Sequence, residues 1–429
     1  MLFAVVKRLR RRHGHPSFGS TTLARLGLPA LFAVLGPGLL AGLSDDDPAG
    51  ITTYSILGAR YGYELLWVLV LSVAALVVFH ELGARLGLVT GKGLVSLVRS
   101  EYGTKPTAVV TATLVVANLG TTCAEFAGVA ASLGLAGVSR YVSVPVAAFV
   151  IGFVVLRGSF HRVEHIMLLL AGVFVAYVAA GILAHPDWGA TGRGLVVPNL
   201  PFSREALVLV TGTVGTTLAP WGLAFIQSYA ADKRLTARDL KFERIDVISG
   251  AVLTGIIGLF VVIACAATLH ATGQHQIDDA SQAAAALRPL AGHLASALFG
   301  FGLLGAALLA AAVVPLSTAY SVSEAVGQEC KLDDHFREAP FFYGSYFGIL
   351  GLGAGLVLLP HVPLFRILVL TQVLNAVLLL PMLVAMRFLG KDRRLMGELG
   401  NGRFGDALAL GAMTIVFASV VGLAASALL

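Results

Sequence analysis

Charge is what this 429-residue sequence lacks: Asp, Glu, Lys and Arg together make up 13% of it, about half of the roughly 25% found in soluble chains. With 57% hydrophobic residues and a mean hydropathy of +0.85, a soluble enzyme is excluded. Cysteine is scarce too. Cys123, Cys265 and Cys330 stand far apart, with no CxxC pair and no zinc-site spacing, and read as free thiols acting as small apolar side chains. No glycine-rich phosphate loop and no HExxH helix is present, which removes ATP-driven transport and zinc-protease chemistry. The N-terminal MLFAVVKRLRRRHGH is basic but is followed by a polar stretch rather than by an apolar region with a cleavage site. It reads as a retained cytoplasmic tail.

What the chain has in abundance is apolar length. Runs bounded by charge, Pro and Gly fall near 29–58, 64–89, 107–136, 141–156, 163–184, 205–230, 246–271, 296–323, 343–359, 363–386 and 404–428, each on the scale of the roughly 20 residues that cross a hydrocarbon layer of about 30 Å. This is the pattern of an all-α polytopic membrane protein. Of the 30 Lys and Arg, only Arg60, Arg140, Arg193, Arg204, Arg288 and Arg366 fall on the side opposite the tail. That bias explains the net charge of +6 without nucleic acid, puts the N-terminus in the cytoplasm and, after eleven spans, the C-terminus outside the cell. The longest outer loop, near 185–204, is too short for a core of its own. The lipid bilayer is the one partner this pattern demands, and no obligate protein partner is evident.

Two spans are interrupted. Aligning Asp47-Pro48-Ala49-Gly50 with Ala219-Pro220-Trp221-Gly222 puts a proline and a glycine at the same offsets, five helices apart. Pro48 and Pro220 each remove a backbone donor, and glycine permits an unwound segment, so both helices are expected to break there. Matched breaks mark secondary transporters built from two inverted repeats, whose unwound carbonyls hold a cation; plain proline kinks are the other reading. On the transporter reading, 29–184 is the first five-helix repeat, 205–386 the second, and 387–429 a loop and an eleventh helix.

Asp45, Asp46 and Asp47 follow a run of uncharged residues, and a carboxylate at that depth costs about 2.5–3.5 kcal/mol or more unless paired or hydrated. Either they serve a cation, with Asp47 at the break and Asp45 and Asp46 lining a vestibule, or the span ends at Ser44 and all three are solvated. Glu125 is a second buried acid, a relay or a structural partner of a backbone donor. His80 and Glu81 sit near the cytoplasmic end of span 2, as interface or gate residues rather than ligands. Gln372 and Asn375, a turn apart, offer either neutral oxygens to a cavity or interhelical hydrogen bonds. His270, His275 and His293 fit no closed zinc motif and read as solvated loop residues. A hydrolase would have only Asp47 with Glu125 as a dyad, and a symporter for an anionic substrate is opposed by the acidic run.

The stretch GPGLLAGLSDDDPAGITTYSILGARYGYELLW resembles the first broken helix of the Nramp divalent-metal transporters, which carry DPGN there. ARLGLVTGKGLVSLVRSEYG, ANLGTTCAEFAG and TQVLNAVLLLP resemble that family as well. The resemblance spans essentially the whole chain and implies a LeuT-like fold of two inverted five-helix repeats plus an eleventh helix. Typical Nramps carry Met-Pro-His at the second break; here Ala219 stands for the metal-binding methionine and Trp221 for the histidine tied to proton coupling. Gly50 replaces the asparagine, and Thr122 an aspartate.

Losing a thioether removes a soft ligand that favours transition ions, while Mg²⁺ wants oxygen and keeps much of its water. Ala219 and Gly50 make room for a hydrated ion. The pattern is similar to the Nramp-related magnesium transporters, which have PW in place of PH. It implies uptake of Mg²⁺, with Mn²⁺ also accepted, no strict proton coupling and no resident cofactor. Asp47 would attract the ion, the carbonyls around Ala49 and Thr216 to Ala219 would complete its shell, and Trp221 beside Gly222 would shape the cavity wall or simply pack. The competing expectation is a proton-coupled Mn²⁺/Fe²⁺ importer of the usual Nramp kind.

Overall fold

In hydrocarbon every backbone polar group must be satisfied within the protein, and a chain this apolar solves that problem with helices. The computed structural model describes residues 42, 44–156, 172–232, 239–328, 338–361 and 363–426, all of them helix or connecting turn and none of them strand. The basic tail, the first half of span 1, the start of span 5 and Cys330 lie outside the described residues. Cys123 and Cys265 are buried and free.

Fourteen helices carry the description. They are α1 (Pro48–Tyr61), α2 (Leu66–Thr90), α3 (Leu94–Tyr102), α4 (Thr104–Gly134), α5 (Arg140–Leu156), α6 (Ala176–Leu183), α7 (Trp188–Val196), α8 (Arg204–Thr217), α9 (Pro220–Asp232), α10 (Leu240–Thr268), α11 (Ala295–Val326), α12 (Pro340–Val357), α13 (Leu364–Lys391) and α14 (Arg403–Ser426). Eight spans among the described residues are long and apolar enough to cross a membrane, α8 with α9 counting as one, and α5 is a shorter apolar helix.

The polar loop near 185–204 is not featureless. It contains α7, capped by Asp187, which accepts from the Ala190 N–H at 2.9 Å. Its backbone lies against Tyr63, and the Trp67 indole donates to the Asn199 carbonyl, tying the loop to the start of α2.

Inside the bundle, α4 packs on α11, α12 and α13, while α1 is held between α10, α13 and α8. Small residues set the spacing. A side chain at Gly128 of α4 would overlap the Pro48 ring, and one at Gly215 of α8 would strike the Gln372 carbonyl of α13. These contacts bring the first turn of α1 and the last turn of α8 together in the middle of the protein.

Candidate functional site

Both interrupted spans are broken where proline demands it. Pro48 and Pro220 occupy the first position of α1 and of α9, where a missing N–H costs nothing. Residues 46–47 and 218–219 are non-helical. The Asp47 carboxylate caps α1 by accepting from the Gly50 N–H at 2.5 Å, and the carbonyls of the last turn of α8 have no donor within that helix. Two helix N-termini and one helix C-terminus therefore meet at the breaks.

Asp45, Asp46 and Asp47 are all buried, at 4%, 1% and 3% exposure, and Glu125 is fully buried. The span does not end at Ser44 with solvated acids. Glu125 of α4 faces Asp47, and neither of its oxygens has a hydrogen-bond partner among the described residues. Asp46 faces the hydroxyl of Thr254 on α10. At the point a Gly50 side chain would occupy, the three nearest atoms are all oxygen: Thr216 Oγ1 at 2.9 Å, the Asp45 carbonyl at 3.2 Å and Asp47 Oδ1 at 3.2 Å. The Thr216 hydroxyl is 2% exposed and has no partner.

Several expectations need correction. The Ala49 carbonyl is committed within α1, because Pro48 starts the helix early enough that Ala49 O accepts the Thr53 hydroxyl at 2.7 Å; the carbonyl near Gly50 is that of Asp45, the last helical residue before the break. At Gly50 the absence of a side chain keeps these three oxygens clear, since a Cβ there would meet all of them at 2.9–3.2 Å. Thr122 turns aside: its hydroxyl donates to the Asn118 carbonyl at 2.7 Å and its methyl packs on Gly353 of α12. Of the two readings of Gln372 and Asn375, the structure shows the hydrogen-bonded one: the Asn375 amide donates to Thr121 of α4 and to Gln372, leaving Gln372 Nε2, a donor that ligates no cation, as the unmatched atom. Ala219 sits at the second break, its carbonyl accepting from the Gly222 N–H at 3.2 Å.

Trp221 is fully buried, in the apolar cluster that contains Ala49 and Ala219 and at 6.3 Å from Phe225. Its carbonyl accepts from Ser317, so it packs behind the site.

Sequence reasoning missed three groups. His80, read as an interface or gate residue, is 1% exposed in α2, with Nε2 at 3.7 Å from where a Gly222 side chain would begin. His275, exposed as expected, and the half-buried His270 also reach the Ala59 carbonyl at the end of α1, at 3.2 and 2.9 Å, a contact the sequence did not announce. Glu324 of α11 accepts from the N–H groups of Val95 and Ser96 at the start of α3, and from the Ser228 hydroxyl of α9. Its only sequence signal was an acid late in an apolar span.

The family described as "Nramp: Natural resistance-associated macrophage protein-like" matches residues 38–426. The divalent metal cation transporter MntH of Klebsiella pneumoniae is 32% identical over 381 residues, covering 87% of this chain and 89% of that one. The manganese transporter of Eremococcus coleocola, solved in complex with an aromatic bis-isothiourea substituted compound, superimposes with a TM-score of 0.73 at 18% identity over 95% of this chain and 89% of that one. MhsT in complex with L-phenylalanine gives 0.57 at 13% identity, over 90% of this chain and 98% of that one. The fold is the LeuT-like fold of these transporters, and the chain belongs to the Nramp family.

Proposed function

We propose that the protein is a secondary transporter that carries divalent metal ions into the cell by alternating access, with Mg²⁺ as its principal cargo, Mn²⁺ also accepted and no coupled proton. The N-terminus lies in the cytoplasm, the C-terminus outside. The observation that carries this reading is the donor set at Gly50, where the three nearest atoms are oxygens. Hard oxygen donors without sulfur suit Mg²⁺ and do not discriminate for transition ions. Asp47 attracts the ion, Thr216 and the Asp45 carbonyl face it, and Glu125 supplies a further buried carboxylate. Acceptance of Mn²⁺ is supported by the relatives, whose names specify divalent metal cations and manganese.

Uncoupled entry is thermodynamically sufficient: a dication gains about 4.6 kcal/mol per 100 mV of inside-negative potential, twice the roughly 2.3 of a single charge. Tryptophan and threonine at positions 221 and 122 carry no proton. The test is influx into proteoliposomes with internal Mg²⁺, Mn²⁺ and pH reporters. Mg²⁺ influx without acidification supports the reading; Mn²⁺ influx with acidification and without Mg²⁺ replaces it with a proton-coupled manganese importer.

A further inference from the structure

The oxygen set at Gly50 leaves a buried histidine unused. His80 lies within α2 at 1% exposure, and neither ring nitrogen has a hydrogen-bond partner among the described residues. A neutral imidazole has one donor and one acceptor, and burying both unmet is costly. A group kept at that cost calls for a partner absent from the protein itself.

Its surroundings name the partner. Where a Gly222 side chain would begin, Asp45 Oδ1 lies at 3.6 Å and His80 Nε2 at 3.7 Å. Asp45 is 4% exposed, and Oδ1 has no hydrogen-bond partner among the described residues. Two unmatched buried atoms, one anionic oxygen and one imidazole nitrogen, thus border a gap that exists because residue 222 lacks a side chain. The gap has a direction. Asp45 lies on the tail side of the first break, and Gly222 lies past the second break on the helix that leads to the basic end of the bundle.

We infer that Asp45 and His80 form a second divalent-metal station, on the cytoplasmic side of the Gly50 oxygen set, which takes a first-row transition ion such as Mn²⁺ in preference to Mg²⁺. This rests on the transport reading above and adds to it the origin of Mn²⁺ acceptance. Imidazole nitrogen suits transition ions, whereas Mg²⁺ binds oxygen and holds its water.

The test is pulsed electron paramagnetic resonance of Mn²⁺ bound to the purified full chain, beside Mn²⁺ and Mg²⁺ influx in proteoliposomes. Wild type is expected to show ¹⁴N coupling from an imidazole on bound Mn²⁺, and His80→Gln to lose it. In the same variant the Mn²⁺ to Mg²⁺ influx ratio falls at least about tenfold, the scale seen when support of a metal site is removed. Gly222→Ala gives an independent check: its methyl meets both atoms at ordinary van der Waals distance, so the fold is kept while the gap fills and the ¹⁴N signal weakens. Absence of ¹⁴N coupling in wild type at saturating Mn²⁺, or its persistence in His80→Gln, overturns the inference. Failure of the transport reading shows separately, as Mg²⁺ and Mn²⁺ influx unaffected by Asp47→Asn.

Discussion

Asp47 does two things, and asparagine separates them. Its Oδ1 caps α1 through the Gly50 N–H, a bond that an asparagine oxygen reproduces. Its charge faces the ion path, and asparagine removes it. For a dication held through one water about 4 Å from the carboxylate, Coulomb attraction is about 2 kcal/mol at the dielectric of water, the lower bound for a site this enclosed. At about 1.4 kcal/mol per factor of ten, Asp47→Asn should weaken apparent Mg²⁺ affinity about 30-fold while leaving thermal stability near wild type. Asp47→Ala loses the cap as well, about 1 kcal/mol of further destabilisation. The assays are the concentration dependence of Mg²⁺ influx and thermal unfolding of the purified protein. An asparagine variant within threefold of wild type would refute the electrostatic role, and equal destabilisation by asparagine and alanine would refute the cap.

Other outcomes follow from the same geometry. Thr216→Val removes a buried hydroxyl that has no protein partner, so stability should hold or rise slightly while Mg²⁺ affinity drops; a loss of stability would show that the hydroxyl is bonded within the protein. Glu324→Ala strands the Val95 and Ser96 N–H groups and releases Ser228, costing about 1–3 kcal/mol and loosening α3 from α9, which faster hydrogen exchange over 93–102 would report. At the basic end, the Arg394 guanidinium and backbone N–H hold the Asp392 carboxyl below its usual range. Because the folded pKa is depressed, that contribution is complete above the ordinary carboxylate value and fades as pH falls through the lower folded one; hydrogen-exchange protection over 392–396, relative to the intrinsic rate at each pH, should therefore hold at pH 5 and fall only below about 4.

Legibility in the sequence followed the range of the interaction. The breaks could be read because proline acts on its own turn: Pro48 and Pro220 need no neighbour to end a helix. The spans could be read because apolar length is a local property. Apart from Ala49, what failed depended on a distant element. Ala49 looked like an unwound carbonyl next to a proline, but the same proline starts the helix and commits that carbonyl to Thr53. Thr122 is one turn from Glu125, yet Gly353 on α12 draws its methyl aside. His80 seemed to stand near a helix end, and only the packing of α9 reveals what it faces. Glu324 binds backbone groups 228 and 229 residues away, which no local pattern announces.

The buried acids set a requirement that the protein alone does not meet. Asp45, Asp46, Asp47 and Glu125 are each at least 95% enclosed, and no Lys or Arg among the described residues forms an ion pair with any of them. Buried carboxylates without a counter-charge are costly, and removing one charge of a compensated group leaves the rest exposed to that cost. The cargo is therefore also a structural component: the apo protein carries a penalty that a bound dication relieves. Saturation at about 100 times Kd should stabilise by about 2.7 kcal/mol. With roughly 1–2 °C per kcal/mol for a chain of this length, Tm should rise by about 3–5 °C with Mg²⁺. Monovalent salt at equal ionic strength should give much less, because screening weakens in a water-poor site. Asp47→Asn should need about 30-fold more Mg²⁺ for the same rise, in step with its influx. A Tm that ignores Mg²⁺ while influx proceeds would mean that the acids are neutral through shared protons in the resting state, and that the ion enters by displacing them.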